Sequence, residues 1–210
     1  MSLGESVPLA IGDLLHEAGK PAGHVYFPTS GFISLIAPVD QHPGMEVSMV
    51  GSEGMLGAHV VLGVQAAPQR ALVQGAGAAC RIEIRTFMRE LERTPALRRR
   101  LLRYLYVLMS QFAVATPCLR FHLIGPRLAR WLLMSQDRAQ SDSFLITQEF
   151  LSYILGMRRA GITAAAGSLQ SRGLIEYRRG HLTVLNRKGL EKAACSCYAA
   201  DRLVYAELLG

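Results

Sequence analysis

The first part of the chain consists of short apolar runs separated by glycine and proline. These runs are rich in β-branched and aromatic residues, and they cover 24–27, 31–36, 45–50, 70–74 and 79–84. Short runs with regular turn residues between them are typical of strands in an antiparallel barrel or jelly roll. We therefore predict a β domain that extends from residue 7 to about residue 86.

The hydrophobic period changes at Thr94. Pro95 suits the first turn of a helix, and Thr94 is the expected N-cap. Apolar residues then recur at spacings of four and three, at Leu101, Leu105, Leu108, Phe112 and Ala115. This heptad seam predicts a long helix that forms a dimer interface through its first four members. The alternative is that the helix packs on its own β domain.

The region after the long helix contains a second helical pattern. Pro117 is expected to kink the long helix, because proline lacks a backbone donor and clashes with the preceding turn. Gly125-Pro126 opens the next helix, with Leu128, Trp131 and Leu132 on one face and Arg127 and Arg130 near the other. The polar run over 136–143 is predicted to be a loop.

Residues 144–156 predict a short strand followed by a capped helix. Thr147 is placed to cap that helix, and Glu149 in its first turn suits the helix dipole. An apolar stripe follows at Leu151, Ile154 and Leu155. Gly156 is able to end the helix in a left-handed conformation.

A second helix follows this tight turn, beginning near Arg158 and ending at Gly173. Its apolar stripe has helical spacing and consists of Ile162, Ala165, Ala166 and Leu169. Residues 174–178 and 181–185 then alternate as a hairpin around Arg179-Gly180. Helix, tight turn, helix and basic hairpin in this order describe a winged helix-turn-helix, whose second helix enters the major groove of DNA.

Two runs in this region resemble the Crp/Fnr superfamily of transcription regulators. Residues 147–159 (TQEFLSYILGMRR) resemble its turn motif, and residues 169–175 (LQSRGLI) resemble its helix end and wing entry. The resemblance implies an α+β fold with an antiparallel β-roll over 1–93, a dimerisation helix and hinge over 94–122, and a winged helix-turn-helix over 123–210.

The same resemblance implies a cytoplasmic, bacterial homodimer that binds double-stranded DNA at a pseudo-palindromic operator, with RNA polymerase as a further partner. An arginine at the start of the recognition helix can contact a guanine edge or a phosphate. We favour Arg159 for the base contact, beside Arg158 and Thr163. Backbone N–H groups at Thr147 and Gln148 suit a phosphate, as do the wing residues. The expected wing contacts are Arg178, Arg179 and His181.

The charge distribution favours the same segment as the DNA-binding region. The formal net charge is +7, and residues 120–190 hold 11 Lys and Arg against 4 Asp and Glu, whereas residues 1–119 hold 10 against 9. A neutral domain joined to a basic one fits an electrostatic contact with phosphates. A scattered, solvated basic surface is the alternative reading.

The β domain contains a degenerate effector cassette. Residues 54–59, followed by Arg70 and Ala71, are similar to the phosphate-binding cassette of cyclic-nucleotide binders. Ala58, after Gly57, stands where the resemblance implies a ribose-binding glutamate, so we expect no cAMP or cGMP bound in the usual way. The sequence assigns no cofactor and leaves the identity of a small-molecule effector open.

Three other functions are weighed against the regulator. The four cysteines are expected to be reduced thiols, because only Cys195 and Cys197 are close in sequence and no partner stands at metal-ligand spacing. An enzyme of the cupin type is disfavoured by scattered histidines, and an iron–sulfur sensor by the absence of an upstream cysteine cluster. A cyclic-nucleotide signalling module without DNA contact is the main alternative.

No apolar run is long enough to span a membrane. A helix is expected to precede the first strand in the full protein.

Overall fold

The N-terminal half is an antiparallel β-roll in the computed structural model, which describes residues 3–40 and 42–210. Its strands are β1 (Glu5–Leu9), β2 (Leu14–His16), β3 (His24–Val39), β4 (His42–Val50) and β5 (Arg70–Glu83). They form one sheet in the order β1-β5-β3-β4, and β2 also pairs with β5. A short 3-10 helix, Ala58–Leu62, lies between β4 and β5. The β domain is therefore present as predicted.

The two longest strands each join runs that the sequence analysis predicted to be separate. β3 continues through Pro28, where its pairing with β5 shifts register between Pro28 and Ser30 and again before Phe32. β-bulges of this kind bend a strand without ending it. Gly31 has a φ of +73°, and a Cβ there would lie 2.3 Å from the carbonyl oxygen of Gly75. The glycine thus permits the close backbone approach at the bend.

Helix α1 (Ile84–Arg93) follows β5 directly and was not predicted from the sequence. Ile84, assigned there to a strand, is the first residue of this helix. Phe87 and Leu91, four residues apart, are its buried side chains. This spacing places both on one face, against the roll.

Helix α2 (Pro95–Phe121) has Pro95 in its first turn as predicted, but Thr94 does not cap it with its side chain. The Thr94 hydroxyl instead donates to Glu90 Oε1 at 2.8 Å. The helix passes Pro117 and continues to Phe121. Pro117 is exposed, and the ladder is intact beyond it, where the His122 N–H donates to the Cys118 carbonyl at 3.1 Å.

One face of α2 packs on its own roll. Leu101, Tyr104 and Leu108 are buried in a cluster that includes Val25 and Met55 of the roll. The exposed apolar side chains lie on a different face, at Leu102, Tyr106 and Met109. Leu101 and Leu108 therefore pack on the β domain of their own chain, which is the alternative to a dimer interface stated above.

The C-terminal half contains four short helices and a three-stranded sheet packed around helix α3 (Ile124–Ala139). The remaining elements are β6 (Ser143–Leu145), α4 (Gln148–Ile154), α5 (Arg159–Ser171), β7 (Ile175–Arg178), β8 (His181–Val184), α6 (Arg187–Ala193) and α7 (Cys197–Leu209). The sheet order is β6-β8-β7. Together with the roll and α2, this is the α+β architecture that the sequence predicted.

The predicted loop over 136–143 is shorter than expected. Helix α3 continues to Ala139, and the chain turns at Gln140, whose φ is +51°. Polar residues occupy this last turn because they have partners inside the protein. Gln136 donates to Asp142 Oδ1 at 2.6 Å, and Arg138 forms an ion pair with Glu53 of the roll at 2.8 Å.

Helix α3 carries the core of the C-terminal half. Leu128, Leu132 and Leu133 are completely buried, in a cluster that also contains Phe32 and Met49 of the roll. The two halves therefore share an apolar interface. None of the helices in the described ranges combines the length and apolar character that a membrane crossing requires.

Two arginines expected near the outer face of α3 are in fact held inside the protein. Arg130 forms a buried ion pair with Asp201 of α7 at 2.6 Å. Arg127 donates to the Leu155 carbonyl at 2.8 Å. Both side chains bind groups of neighbouring helices and so stabilise the packing. The positive charge of the surface therefore comes from other residues.

Candidate nucleic-acid interface

The turn between α4 and α5 has the local geometry that the sequence predicted. The Thr147 hydroxyl accepts a hydrogen bond from the Phe150 N–H at 3.1 Å, which makes Thr147 the N-cap of α4. Gly156 has a φ of +63°. A left-handed residue at a helix end lets the chain reverse within a few residues. The next helix therefore starts almost at once, with Arg158 as its N-cap residue.

Helix α5 is anchored by one face and exposed on the other. Ile162, Ala165, Ala166 and Leu169 are all buried, as the spacing predicted. The opposite face consists of Ala160, Thr163, Ala164 and Gly167, all exposed. Thr163 Oγ1 donates within 3.0 Å to the Arg159 carbonyl and lies 2.8 Å from Gln148 Oε1. The exposed face is thus nearly free of bulky side chains.

The wing is a two-residue hairpin between β7 and β8. Arg179 and Gly180 both have positive φ, +50° and +84°, as a type I′ turn requires. The hairpin is tied to the start of α4, because the Ile146 N–H donates to the Gly180 carbonyl at 2.7 Å and the Tyr177 hydroxyl donates to the Ile146 carbonyl at 2.8 Å. These bonds fix the wing beside the helix pair.

Four of the eight predicted DNA-contacting residues meet in one recess. Thr147, Gln148, Arg159 and Arg179 line a cavity of about 320 Å³, together with Tyr177 and Gly180. The recess thus combines a helix N-terminus with two guanidinium groups, which suits an anionic group such as a phosphate. The other four residues are exposed around it, and they are Arg158, Thr163, Arg178 and His181.

Four arginines of this surface have no acidic partner among the described residues, unlike Arg130, Arg138 and Arg187, which form ion pairs. Arg158, Arg159, Arg178 and Arg179 are exposed, and none forms an ion pair with any residue in the described ranges. Burial raises the pKa of Tyr177, and the positive charge of Arg159 opposes that rise. The surface therefore presents positive charge that the protein does not neutralise.

The predicted effector residues only partly coincide with a cavity. Gly57 and Ala58 line a cavity of about 180 Å³ between the roll and α2, whereas Arg70 and Ala71 are not among its lining residues. The walls are mostly apolar, with His16 as one of the few polar side chains. Burial lowers the pKa of the histidines His16 and His59 in this cavity. No lysine or arginine is among the residues that line this cavity.

Residues of the predicted dimer seam have two different environments. Leu101 and Leu108 are buried within the chain, whereas Leu105 and Phe112 are half-buried at the edge of the same cluster. The sequence could not separate these environments, because two apolar faces overlap on α2. The exposed residues Leu102, Tyr106 and Met109 have the same helical spacing as the predicted dimer seam.

The expectation that the cysteines lack partners at metal-ligand spacing is wrong. Cys118, His122, Cys195 and Cys197 place their sulfur and nitrogen atoms within 4.8 Å of one another. Cys118 and His122 are four residues apart at the end of α2, and this spacing is the signal that the sequence offers. The fold then brings Cys195 and Cys197, at the start of α7, to the same place.

The comparisons with known proteins agree with this geometry. Residues 126–193 match the family model of the Crp-like helix-turn-helix domain. A search of curated proteins gives no match. Among solved structures, FixK2 from Bradyrhizobium japonicum is 12% identical, with a TM-score of 0.76 over 92% of this chain and 98% of that one.

Two further structures have similar folds. The c-di-GMP-responsive regulator CLP from Xanthomonas campestris is 16% identical, with a TM-score of 0.68 over 87% of this chain and 94% of its own. A transcriptional regulator of the CRP/FNR family from Thermus thermophilus, TTHA1359, is 18% identical, with a TM-score of 0.66 over 90% of this chain and 98% of its own. At sequence identities this low, these similarities show the fold alone.

Proposed function

The chain has the Crp/Fnr fold with a Crp-like helix-turn-helix domain, and from this premise we propose that it regulates transcription by binding double-stranded DNA as a homodimer. The observation that carries the proposal is the recess formed by Thr147, Gln148, Arg159 and Arg179. It lies between the capped α4, the start of α5 and the wing, where one duplex can contact all three. We propose the functional divisions 1–93, 94–122 and 123–210 given above.

Within this proposal, the residues have different roles. Thr147, Gln148 and Arg179 contact backbone phosphates and set the register of the protein on the duplex. Arg159, at the start of the recognition helix, reads a guanine edge. The small exposed side chains of α5 allow its backbone to enter the groove deeply, so Thr163 can approach a base edge or a thymine methyl group. Arg158, Arg178 and His181 add phosphate contacts.

The dimer interface is proposed to lie on the exposed stripe of α2. Leu102, Tyr106 and Met109 are 45%, 61% and 67% exposed, and they form one helical face. Leu105 and Phe112 border this face and complete the seam. Leu101 and Leu108 contribute to the interface indirectly, because they pack α2 against the roll. Two-fold symmetry of such a dimer requires a pseudo-palindromic operator.

An effector of the roll is proposed to be small and largely apolar. A cavity of about 180 Å³ is smaller than the roughly 300 Å³ at which drug-sized sites begin, and it has no cation for a cyclic phosphate. His59 Nε2 is buried without a hydrogen-bond partner among the described residues, so it is available to a polar group of the effector. Titration with cAMP or cGMP is expected to give no saturable binding.

The direct test is selection of bound sequences from a random DNA pool, followed by affinity measurements on the enriched sequence. We expect a pseudo-palindromic consensus. Arg159→Ala should cost about 1–3 kcal/mol on the consensus and relax the preference at one base pair in each half-site. Arg93→Ala, an exposed arginine at the end of α1, is the matched control and should leave binding unchanged. Failure to enrich any sequence, or equal losses for the two variants, would refute the proposal.

A further inference from the structure

Four potential metal ligands converge where the long helix meets the C-terminal half. Cys118 lies in the last turn of α2 and His122 follows the helix as its C-cap residue, while Cys195 lies between α6 and α7 and Cys197 is the first residue of α7. Cys118 Sγ lies 3.7 Å from Cys195 Sγ, and Cys197 Sγ lies 3.5 Å from His122 Nδ1. The sulfur atoms are not bonded to one another.

These separations match the edges of a tetrahedron around a single ion. Zinc binds cysteine sulfur at about 2.3 Å and histidine nitrogen at about 2.0 Å, so a tetrahedral site has S–S edges of about 3.8 Å and S–N edges of about 3.5 Å. The observed 3.7 Å and 3.5 Å agree with both values. We propose that Cys118, His122, Cys195 and Cys197 form a binding site for one Zn²⁺ ion.

The ligand set favours zinc over an iron–sulfur cluster. Three thiolates and one imidazole are a common structural zinc set, and all four positions of the tetrahedron are filled by protein. An iron–sulfur cluster distributes its cysteines over several iron atoms, which requires wider spacing than a group whose atoms all lie within 4.8 Å. The compact group therefore fits one ion.

Burial and charge around the group also suit a metal-thiolate centre. The three cysteines are buried, with exposed fractions of 2%, 6% and 8%. Three thiolates on one Zn²⁺ carry a net charge of −1, and Arg130 supplies a compensating positive charge. Its Nη1 lies 3.5 Å from Cys118 Sγ, while its Nη2 is held at 2.6 Å by Asp201. Partners in this position tune metal affinity.

The backbone holds the ligands in place. The His122 N–H donates to the Cys118 carbonyl at 3.1 Å, which fixes the backbone of His122, the C-cap residue of α2, next to Cys118. The Cys195 N–H donates to the Pro126 carbonyl of α3 at 3.2 Å, and the Tyr198 N–H donates to the Cys195 carbonyl at 3.1 Å. An ion in this site would therefore join α2, the start of α3 and α7, and stabilise the connection between the long helix and the C-terminal half.

The test uses the full chain, purified under reducing conditions and stripped of metal with a chelator. Titration with Co²⁺ should give one equivalent of binding per chain, with the intense visible bands of tetrahedral thiolate coordination, and Zn²⁺ should displace it. Cys195→Ser and Cys197→Ser should each weaken Zn²⁺ binding by at least about 100-fold, beyond the loss of a supporting group. Cys80→Ser, a cysteine of β5, is the matched control and should bind as the parent does.

Several results would overturn the site. These are no Co²⁺ bands in the folded parent chain, equal binding by Cys195→Ser and the parent, or a disulfide between Cys118 and Cys195 in the freshly purified protein. Anaerobic reconstitution with iron and sulfide that yields two or more irons per chain would replace zinc with a cluster. If the serine variants do not fold, His122→Asn provides the same comparison with all cysteines kept. None of these readouts uses DNA, so they stand apart from the proposed function.

Discussion

Glu46 of β4 links the roll to helix α3 through a carboxyl group with an unusual environment. Its Oε1 accepts a hydrogen bond from Trp131 Nε1 at 2.8 Å, and its Oε2 accepts one from the Ser34 hydroxyl. Burial raises the pKa of Glu46 from its ordinary 4.5 to about 7, although the two hydrogen bonds and the charges of Arg138 and Arg130 oppose the rise. The perturbation that tests this environment is Glu46→Gln.

The sign follows from proton binding in the two states. The folded chain keeps the Glu46 proton up to pH about 7, whereas the unfolded chain releases it near pH 4.5. Between these values the unfolded state binds fewer protons, so the free energy of unfolding falls as pH rises. The contribution is fully present below pH 4.5 and lost above pH 7. At about 1.4 kcal/mol per pKa unit, the loss is at most about 3.5 kcal/mol, and it is smaller because Glu46 is partly accessible to solvent.

Glutamine can keep both hydrogen bonds without a charge, since its oxygen accepts from Trp131 and its amide donates to Ser34. We therefore expect Glu46→Gln to match the parent near pH 5 and to be more stable at pH 8 by about 1–3 kcal/mol. The assay is urea unfolding at several pH values, followed by the fluorescence of Trp131, the one tryptophan in the sequence. Glu92→Gln, an exposed carboxyl on α1, is the control.

The comparison between variant and parent removes contributions that do not involve Glu46. The lowered pKa values of His16 and His59 act in the opposite direction, because a histidine buried as neutral favours the folded state at higher pH. These contributions are common to both proteins and cancel in the difference. A difference that stays constant from pH 5 to pH 8, or that favours the parent at pH 8, would refute the reasoning.

Three further predictions concern the helix pair and the dimer. Thr147→Ala removes the N-cap of α4 and should lower the free energy of unfolding by about 1 kcal/mol in denaturant titrations, with Thr116→Ala, at an exposed position of α2, as the control. Ile162→Ala leaves a cavity in the C-terminal core and should cost about 2–5 kcal/mol in the same titrations; a loss below about 1 kcal/mol would contradict its burial. Met109→Asp places a charge on the exposed stripe of α2 and should convert a dimer to a monomer in sedimentation velocity, whereas Arg93→Ala should not.

The helix-turn-helix could be predicted in detail because its local signals agree. The cap at Thr147, the left-handed Gly156 and the buried stripe of α5 each follow from residues close in sequence, and each local feature matches the global fold. The comparison of residues 126–193 with the Crp-like domain supports the same segment. The contacts of the eight predicted DNA residues remain predictions for the experiments above.

The features that the sequence did not predict depend on distant partners. Pro28 reads as the end of a strand, but bulges keep β3 paired with β5. The proposed metal ligands come from elements far apart in the chain, so the C-x-C pair gives no signal until the fold brings it to Cys118. The sequence predicts a loop at Gln136 and Arg138, which lie in α3. Their burial depends on polar partners elsewhere in the chain, which the local sequence does not show.

The salt dependence of DNA binding tests the central claim most directly. Affinity of the full chain for its selected operator and for an unrelated duplex should fall linearly on a plot of log affinity against log salt concentration. Arg179→Ala should weaken binding to both duplexes and reduce the slope by about 1 for each wing that contacts DNA, whereas Arg93→Ala should leave the slope unchanged. Equal slopes for the parent and Arg179→Ala, or a loss confined to the operator, would contradict the placement of the wing on the phosphate backbone.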